Sequence, residues 1–167
     1  AFWISVANDN LFVVYGAWLE KQFNLSIVAL GLGTSVIGVA ELAGESLTAA
    51  LADRLGLKRS VIGGMAACLI CYGILPYLGQ TLGMALTGLF ILFLTFEFTI
   101  VTSLSLFTEL IPTSRATMMA SYLASAGVGR VVGALIGGPI WLAGGIYATA
   151  LVSAAISAVA LISLVWG

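Results

Sequence analysis

The sequence predicts an all-α membrane protein of six transmembrane helices, and three observations predict it. Of the 167 residues, 61% are hydrophobic and only 8% are charged, where a soluble domain carries about 25% charged residues. The apolar residues fall in continuous runs that reach the ~20 residues a spanning helix needs. Short polar or turn-forming stretches separate the runs. Membrane-spanning β-strands would alternate over ~10 residues instead, and lipid leaves no other way to satisfy the backbone, so the runs read as helices.

Taken in order, the first span covers 1–19 and ends at Glu20-Lys21-Gln22-Phe23-Asn24. The second, 26–52, stops at Asp53-Arg54-Leu55-Gly56-Leu57-Lys58-Arg59. The third, 60–78, is closed by Pro76 and Gly79-Gln80, and the fourth, 81–110, by Pro112. The fifth, 115–143, ends at Gly144-Gly145, and the sixth is 146–166. Residues 1–167 thus read as a single transmembrane domain. The absence of an initiator Met and a start inside an apolar run read as a fragment of a longer chain.

Composition narrows the function. A net charge of −1 with no basic patch gives nucleic acid nothing to bind. Histidine is absent, which removes the usual metal ligand and general base. Cys68 and Cys71 have no second ligand pair and read as buried helix thiols. No phosphate-binding loop of the Walker type occurs. The expectation is therefore no metal, no cofactor, no ATP use and no enzymatic activity.

Orientation follows from basic residues in short connections. The connections after spans two and four hold Arg54, Lys58, Arg59 and Arg115, whereas the other three hold only Lys21. The stretches near 53–59 and 111–115 are accordingly expected in the cytoplasm, in a multi-pass protein of the inner (plasma) membrane.

The ionisable residues inside the spans carry the most information. Glu41 is 12 residues from Asp53, Glu97 is 12 from Glu109, Arg130 is 15 from Arg115 and Asp9 is 11 from Glu20. At a rise of ~1.5 Å per residue these separations are roughly 16–22 Å, near the middle of a ~30 Å hydrocarbon core. Glu45 lies one turn closer to the cytoplasm on the Glu41 face. A charge at the bilayer centre costs at least ~2.5–3.5 kcal/mol, so such residues usually face a protein interior or a watery cavity and mark a pathway. Four acids and one base cannot all be charged cheaply there. Arg130 can neutralise one carboxylate, or two in a shared arrangement. A carboxyl that binds and releases a proton suits proton-coupled transport, and the same group suits a cationic ligand. The competing reading is a polar network that pins helix packing, which is favoured for Glu45.

Two motifs place these features in a known family. The string Asp53-Arg54-Leu55-Gly56-Leu57-Lys58-Arg59, between spans two and three, resembles the cytoplasmic loop motif of the major facilitator superfamily. Glu109-Leu110-Ile111-Pro112-Thr113-Ser114-Arg115-Ala116-Thr117 resembles that family's ending of the fourth helix of a half. Gly129, Gly133 and Gly137 with Gly138-Pro139 resemble the glycine-rich fifth helix of its antiporters, although Pro139 follows the glycine pair here. Close packing through small-xxx-small spacing explains the same glycines. Glu41-Leu42-Ala43-Gly44-Glu45 and Phe96-Glu97-Phe98 resemble bacterial efflux permeases.

The resemblance implies half of a twelve-helix fold, here the C-terminal half, built as two inverted three-helix repeats. It implies that the first and fourth helices line the cavity with Asn8, Asp9, Asn10 and Glu97. The second and fifth would add Glu41 and Arg130, and the third and sixth would face lipid. Asp9, Asn8, Asn10, Glu41, Glu97 and Arg130 are then the candidate substrate or proton-binding residues, with Arg130 expected to pair with Glu97 or Glu41. Asp53, Arg54, Gly56, Lys58, Arg59, Glu109 and Arg115 form the candidate cytoplasmic gate. Trp18, Phe96, Phe98 and Tyr122 are candidate cavity aromatics for which ordinary packing is the favoured reading. The implied function is proton-coupled movement of a small drug-like or sugar-like solute. Its partners would be the lipid bilayer and the other six-helix half, on the same chain or on a second copy. A membrane scaffold with buried charges as interhelix glue is the alternative. An intramembrane enzyme would have only carboxylates such as Glu41 and Glu45 to work with.

Overall fold

A computed structural model describes residues 1–166. The described residues form helices and short turns, with no strand. The order is α1 (Phe2–Phe12), α2 (Tyr15–Phe23), α3 (Ile27–Leu55), α4 (Leu57–Ile74), a 3₁₀ turn (Leu75–Leu78), α5 (Leu82–Leu110), a second 3₁₀ turn (Pro112–Ser114) and α6 (Arg115–Trp166). Four helical stretches, Ile27–Leu55, Leu57–Leu78, Leu82–Leu110 and Pro112–Trp166, are long and apolar enough to cross a membrane.

Local chemistry sets the helix ends. Ser26 and Thr81 cap α3 and α5, their hydroxyls accepting from the amides of Ala29 and Met84 at 3.3 and 3.2 Å. The link between α3 and α4 is shorter than the sequence suggests. It consists of Gly56 alone, at φ +86°, ψ 130°, a backbone region that favours glycine. Asp53 and Arg54 therefore sit in the last turn of α3, and Lys58 and Arg59 in the first turn of α4. Two cations at a helix N-terminus oppose the helix dipole, so their placement has a cause other than helix stability. The first expected span is broken at Val13–Val14, where the Val14 amide donates to the Leu11 carbonyl in a tightened i→i−3 bond at 3.0 Å. Two consecutive β-branched residues stiffen the chain at the slip.

Helix α6 has 52 residues, far more than a straight bilayer crossing holds. Gly144 (φ −153°, ψ 15°) and Gly145 (φ +61°, ψ −151°) break it into limbs 115–143 and 146–166. Both limbs pack on α1. A Cβ placed on Gly133 would lie 2.6 Å from the Val6 carbonyl, and one on Gly137 2.7 Å from the Asn10 carbonyl. Gly129 abuts the Phe2 carbonyl in the same way. The matching order of these pairs means that the first limb runs parallel to α1. The second limb runs back along it: Asn10 Nδ2 donates to the Thr149 carbonyl (3.0 Å) and to Ser153 Oγ (2.9 Å), and Ser153 Oγ donates to the Ala7 carbonyl (2.7 Å).

The other main pairing is α3 with α5. A Cβ on Gly44 would lie 2.7 Å from the Leu94 carbonyl and 2.9 Å from Glu97 Cβ. Lipid supplies no hydrophobic drive between helices, so such close approach by small residues is what holds them together. Helix α5 is the centre of the core, with Leu89, Leu92, Phe93 and Phe96 buried. Helix α4 packs antiparallel on it, with Cys68 Sγ 3.6 Å from Thr95 Oγ1.

Candidate functional site

The glycine stripe positions the central charge pair. Because Gly129 and Gly133 let the first limb of α6 lie against the α1 backbone, Arg130 projects beside Asp9, and its Nε is 3.9 Å from Asp9 Oδ2. Among the described residues this is the one ion pair within 4.0 Å. The pairing differs from the expectation that Arg130 meets Glu97 or Glu41. Arg130 and its glycines are docked on α1, the helix that carries Asp9. The Asp9 side chain is 15% exposed and that of Arg130 59%, so the pair is open along one side.

Glu97 and Glu41 come together through Gly44. That residue seats α3 on α5 against Glu97 Cβ, and Glu41 lies three residues earlier on α3. Both side chains are half-buried, whereas Glu45 is exposed. Asp9 on α1 thus meets Arg130 of α6, while Glu41 and Glu97 belong to the adjoining faces of α3 and α5.

The three residues 8–10 of α1 part company. Asn8 is 4% exposed and its amide lies beside the Asp9 carboxyl. Asn10 turns away and is wholly enclosed against the second limb of α6. Its place is helix packing, away from the charge cluster in which the sequence reading put it. Asn8 Oδ1, Asp9 Oδ2 and Ser5 Oγ are buried without a hydrogen-bond partner. Ser5, Asn8 and Asp9 stand at i, i+3 and i+4, one face of α1.

The four candidate aromatics take the packing places that the sequence favoured for them. Trp18, Phe96, Phe98 and Tyr122 are all buried in packing. The Tyr122 hydroxyl donates to the Ile100 carbonyl at 2.9 Å and also meets Ser103 Oγ. Phe12, absent from those candidates, is 41% exposed. Its ring sits edge-on to Phe93 (centroids 5.9 Å) and 5.5 Å from that of Tyr15. The signal that could have found it is its spacing of three residues from Asp9. Phe93 stands one turn before Glu97 on α5, so an aromatic shelf lies just above the acids.

The gate candidates Asp53, Arg54, Gly56, Lys58, Arg59, Glu109 and Arg115 are all exposed at one end of the bundle. Lys58, Arg59 and Glu109 border one open groove of about 420 Å³ beside Gly56. A separate, mostly apolar cavity of about 370 Å³ opens at the same end, between Trp3, Val61, Leu106 and Leu164. Among the described residues no group of three or more Cys, Asp or Glu side chains is placed to hold a metal ion.

The family model of the Major Facilitator Superfamily matches residues 1–167. The chain is similar to the uncharacterized MFS-type transporter YceJ of Bacillus subtilis (strain 168), with 25% identity over 137 residues, 82% of this chain and 35% of that protein. It is also similar to the uncharacterized MFS-type transporter YwfA of the same organism, with 24% identity over 148 residues, 89% of this chain and 36% of that protein. The chain thus spans about a third of the length of the curated relatives it matches. No solved structure matches. With a match that runs the full length of the chain, over four apolar membrane-length helical stretches, the chain belongs to the major facilitator superfamily and is an integral membrane protein.

Proposed function

We propose that this chain is one six-helix half of a secondary active transporter. It moves a small organic solute by alternating access, driven by a proton gradient, with the solute site between this half and a second one. In this reading α1 and α2 make the first span, and the two limbs of α6 make the fifth and sixth. Spans one to three and four to six form inverted repeats. The protein sits in the plasma membrane with the Arg54, Lys58, Arg59 and Arg115 end in the cytoplasm.

The observation that carries the proposal is the half-open Asp9–Arg130 pair inside the helical bundle. A pair serving only as glue between helices gains most when closed and fully hydrogen-bonded. Here the separation of 3.9 Å exceeds a hydrogen bond, and the guanidinium stays more than half exposed. Such a pair can change partners, as a carboxyl that cycles its proton requires. The exposed charges at the Gly56 turn suit a gate that forms and breaks with each cycle.

The test is flux by the full-length protein in proteoliposomes, scanning candidate sugars and cationic drugs, with Glu97→Gln beside the wild type. Loss of pH-gradient-driven flux with counterflow exchange retained assigns proton coupling to Glu97. Unchanged driven flux moves the coupling role to Asp9 or Glu41. Absence of flux for every solute leaves a membrane scaffold as the reading.

A further inference from the structure

We propose that the apolar cavity at the Gly56 end of the bundle binds a long-chain carboxylate, with the chain inside and the carboxylate held at the mouth by Lys58 and the first turn of α4. The inference stands apart from the solute site and does not depend on the transport reading.

The body of the ligand follows from the cavity. Its volume is about 370 Å³, within the ~300–1,000 Å³ that small-molecule pockets span. At roughly 30 Å³ for a group the size of a water molecule, it holds about a dozen methylenes, which is one hydrocarbon chain and not two. Four helix ends enclose it: Trp3 comes from α1, Met65 from α4, Leu106 from α5 and Leu164 from the second limb of α6. Two hydroxyls lie on its wall, and each donates to a carbonyl of its own helix. Ser103 Oγ donates to Ile100 at 2.9 Å and Ser163 Oγ to Val159 at 2.8 Å. No hydroxyl is left to donate to a polar ligand atom inside, so an apolar body fits and a polar one does not.

The head of the ligand follows from charge. Lys58 borders both the cavity and the neighbouring groove, where Arg59 stands beside it. No acid lines the cavity, and Glu109 is the one acid at the groove. Neither Lys58 nor Arg59 has a carboxylate within 4.0 Å, since Arg130–Asp9 is the one ion pair among the described residues. Gly56 gives the first turn of α4 no side-chain cap, and free N–H groups at a helix N-terminus attract negative charge. The two cations there oppose the helix dipole, and an anion between them and the amides removes the conflict. An ionised carboxylate brings only acceptors, which match the donors of Lys58, Arg59 and the first-turn amides. Inorganic phosphate would meet the cations but leave the cavity empty. A two-chain phospholipid would leave one chain outside. A bound chain would brace four helix ends at once, beside the gate candidates Lys58, Arg59 and Glu109.

The experiment uses the full-length protein in phosphatidylcholine nanodiscs at a fixed pH above neutrality. Tryptophan fluorescence is titrated with 11-bromoundecanoate, with neutral 11-bromoundecanol and with cationic 11-bromoundecyltrimethylammonium. Bromine quenches an indole only near contact, and Trp3 lines the cavity. We expect the acid to quench saturably, and the alcohol to need roughly threefold to tenfold more and the cation more still. Trp3→Phe should remove the saturable part of the signal. Lys58→Gln should weaken the acid to the level of the alcohol and leave the alcohol unchanged, while Lys58→Arg keeps the preference for the acid. Lys58 is exposed, so these two variants do not disturb the core. Equal quenching by acid and alcohol, or a saturable acid signal that survives Trp3→Phe, overturns the proposal. So does a preference for the acid that Lys58→Gln leaves intact. Protection of Trp3 by phosphatidylglycerol in the nanodisc, at the membrane concentration of the acid, also overturns it, in favour of a phospholipid of the bilayer.

Discussion

Substituting Gly133 by Ala tests whether the close contact of α1 with the first limb of α6 sets the geometry of the charge pair. The added methyl would lie 2.6 Å from the Val6 carbonyl, 3.0 Å from the Asn10 amide and 3.0 Å from Asp9 Cβ. Two of these three neighbours are backbone atoms in a helix interior and cannot rotate aside, so the helices must separate. Overpacking of this kind costs about 1–3 kcal/mol. Gly127 and Gly138 lie on the same limb and have nothing within 4 Å, so their replacement by Ala should fall within about 0.5 kcal/mol of the wild type. The assay is reversible unfolding of the full-length protein in mixed micelles by increasing mole fraction of denaturing detergent, with the three variants side by side. If Gly133→Ala matches Gly127→Ala and Gly138→Ala, the two helices do not touch as described, and the placement of Arg130 at Asp9 falls with them.

Asn10→Leu should lose about 1–2 kcal/mol in the same assay, since two hydrogen bonds within the membrane average about 0.6 kcal/mol each and a poorly fitting side chain replaces them. A variant as stable as the wild type would mean that Asn10 does not tie the second limb to α1. Gly56→Ala places a Cβ at φ +86° with no steric neighbour within 4 Å, so only backbone strain of about 1–3 kcal/mol is expected. Its unfolding midpoint should fall, and Gly56→Asn should recover part of the loss because Asn tolerates positive φ. Cys68 is buried and Cys71 half-buried. A membrane-permeant maleimide should therefore modify Cys71 first in a peptide-mapping time course, and equal rates would contradict the packing of α4 on α5.

The sequence revealed the site through scarcity. In a chain with 8% charged residues, Asp9, Glu41, Glu97 and Arg130 stand out because lipid makes each one costly, and counting along the spans gives their depth. What it withheld is angular and tertiary. Helical spacing alone does not say that Asn8 turns toward Asp9 while Asn10 turns into the second limb of α6. Nor does it choose a partner for Arg130 among several acids at one depth, because that choice depends on which helix the glycine stripe docks against. Phe12 shares the Asp9 face by spacing, but spacing does not say that its ring is left open. The length of α6 was hidden for a different reason. Gly144-Gly145 reads as a turn, yet the limbs on either side pack on the same helix in opposite directions, which no local signal announces.

The pairing of α1 with both limbs of α6 has a consequence during synthesis. Asn8, Asp9 and Asn10 leave the ribosome more than a hundred residues before the partners that complete them, Arg130, Thr149 and Ser153. At roughly 5–20 residues per second, the ribosome needs about 6–24 s to travel from Asp9 to Arg130. For that interval the nascent α1 holds a carboxyl and two amides with no internal countercharge. It must stay at the protein-lined exit of the insertion machinery or within reach of the aqueous phase until α6 arrives. A helix made more than a hundred residues ahead of its partners then settles into the bilayer only when they arrive, and the order of translation differs from the order of assembly.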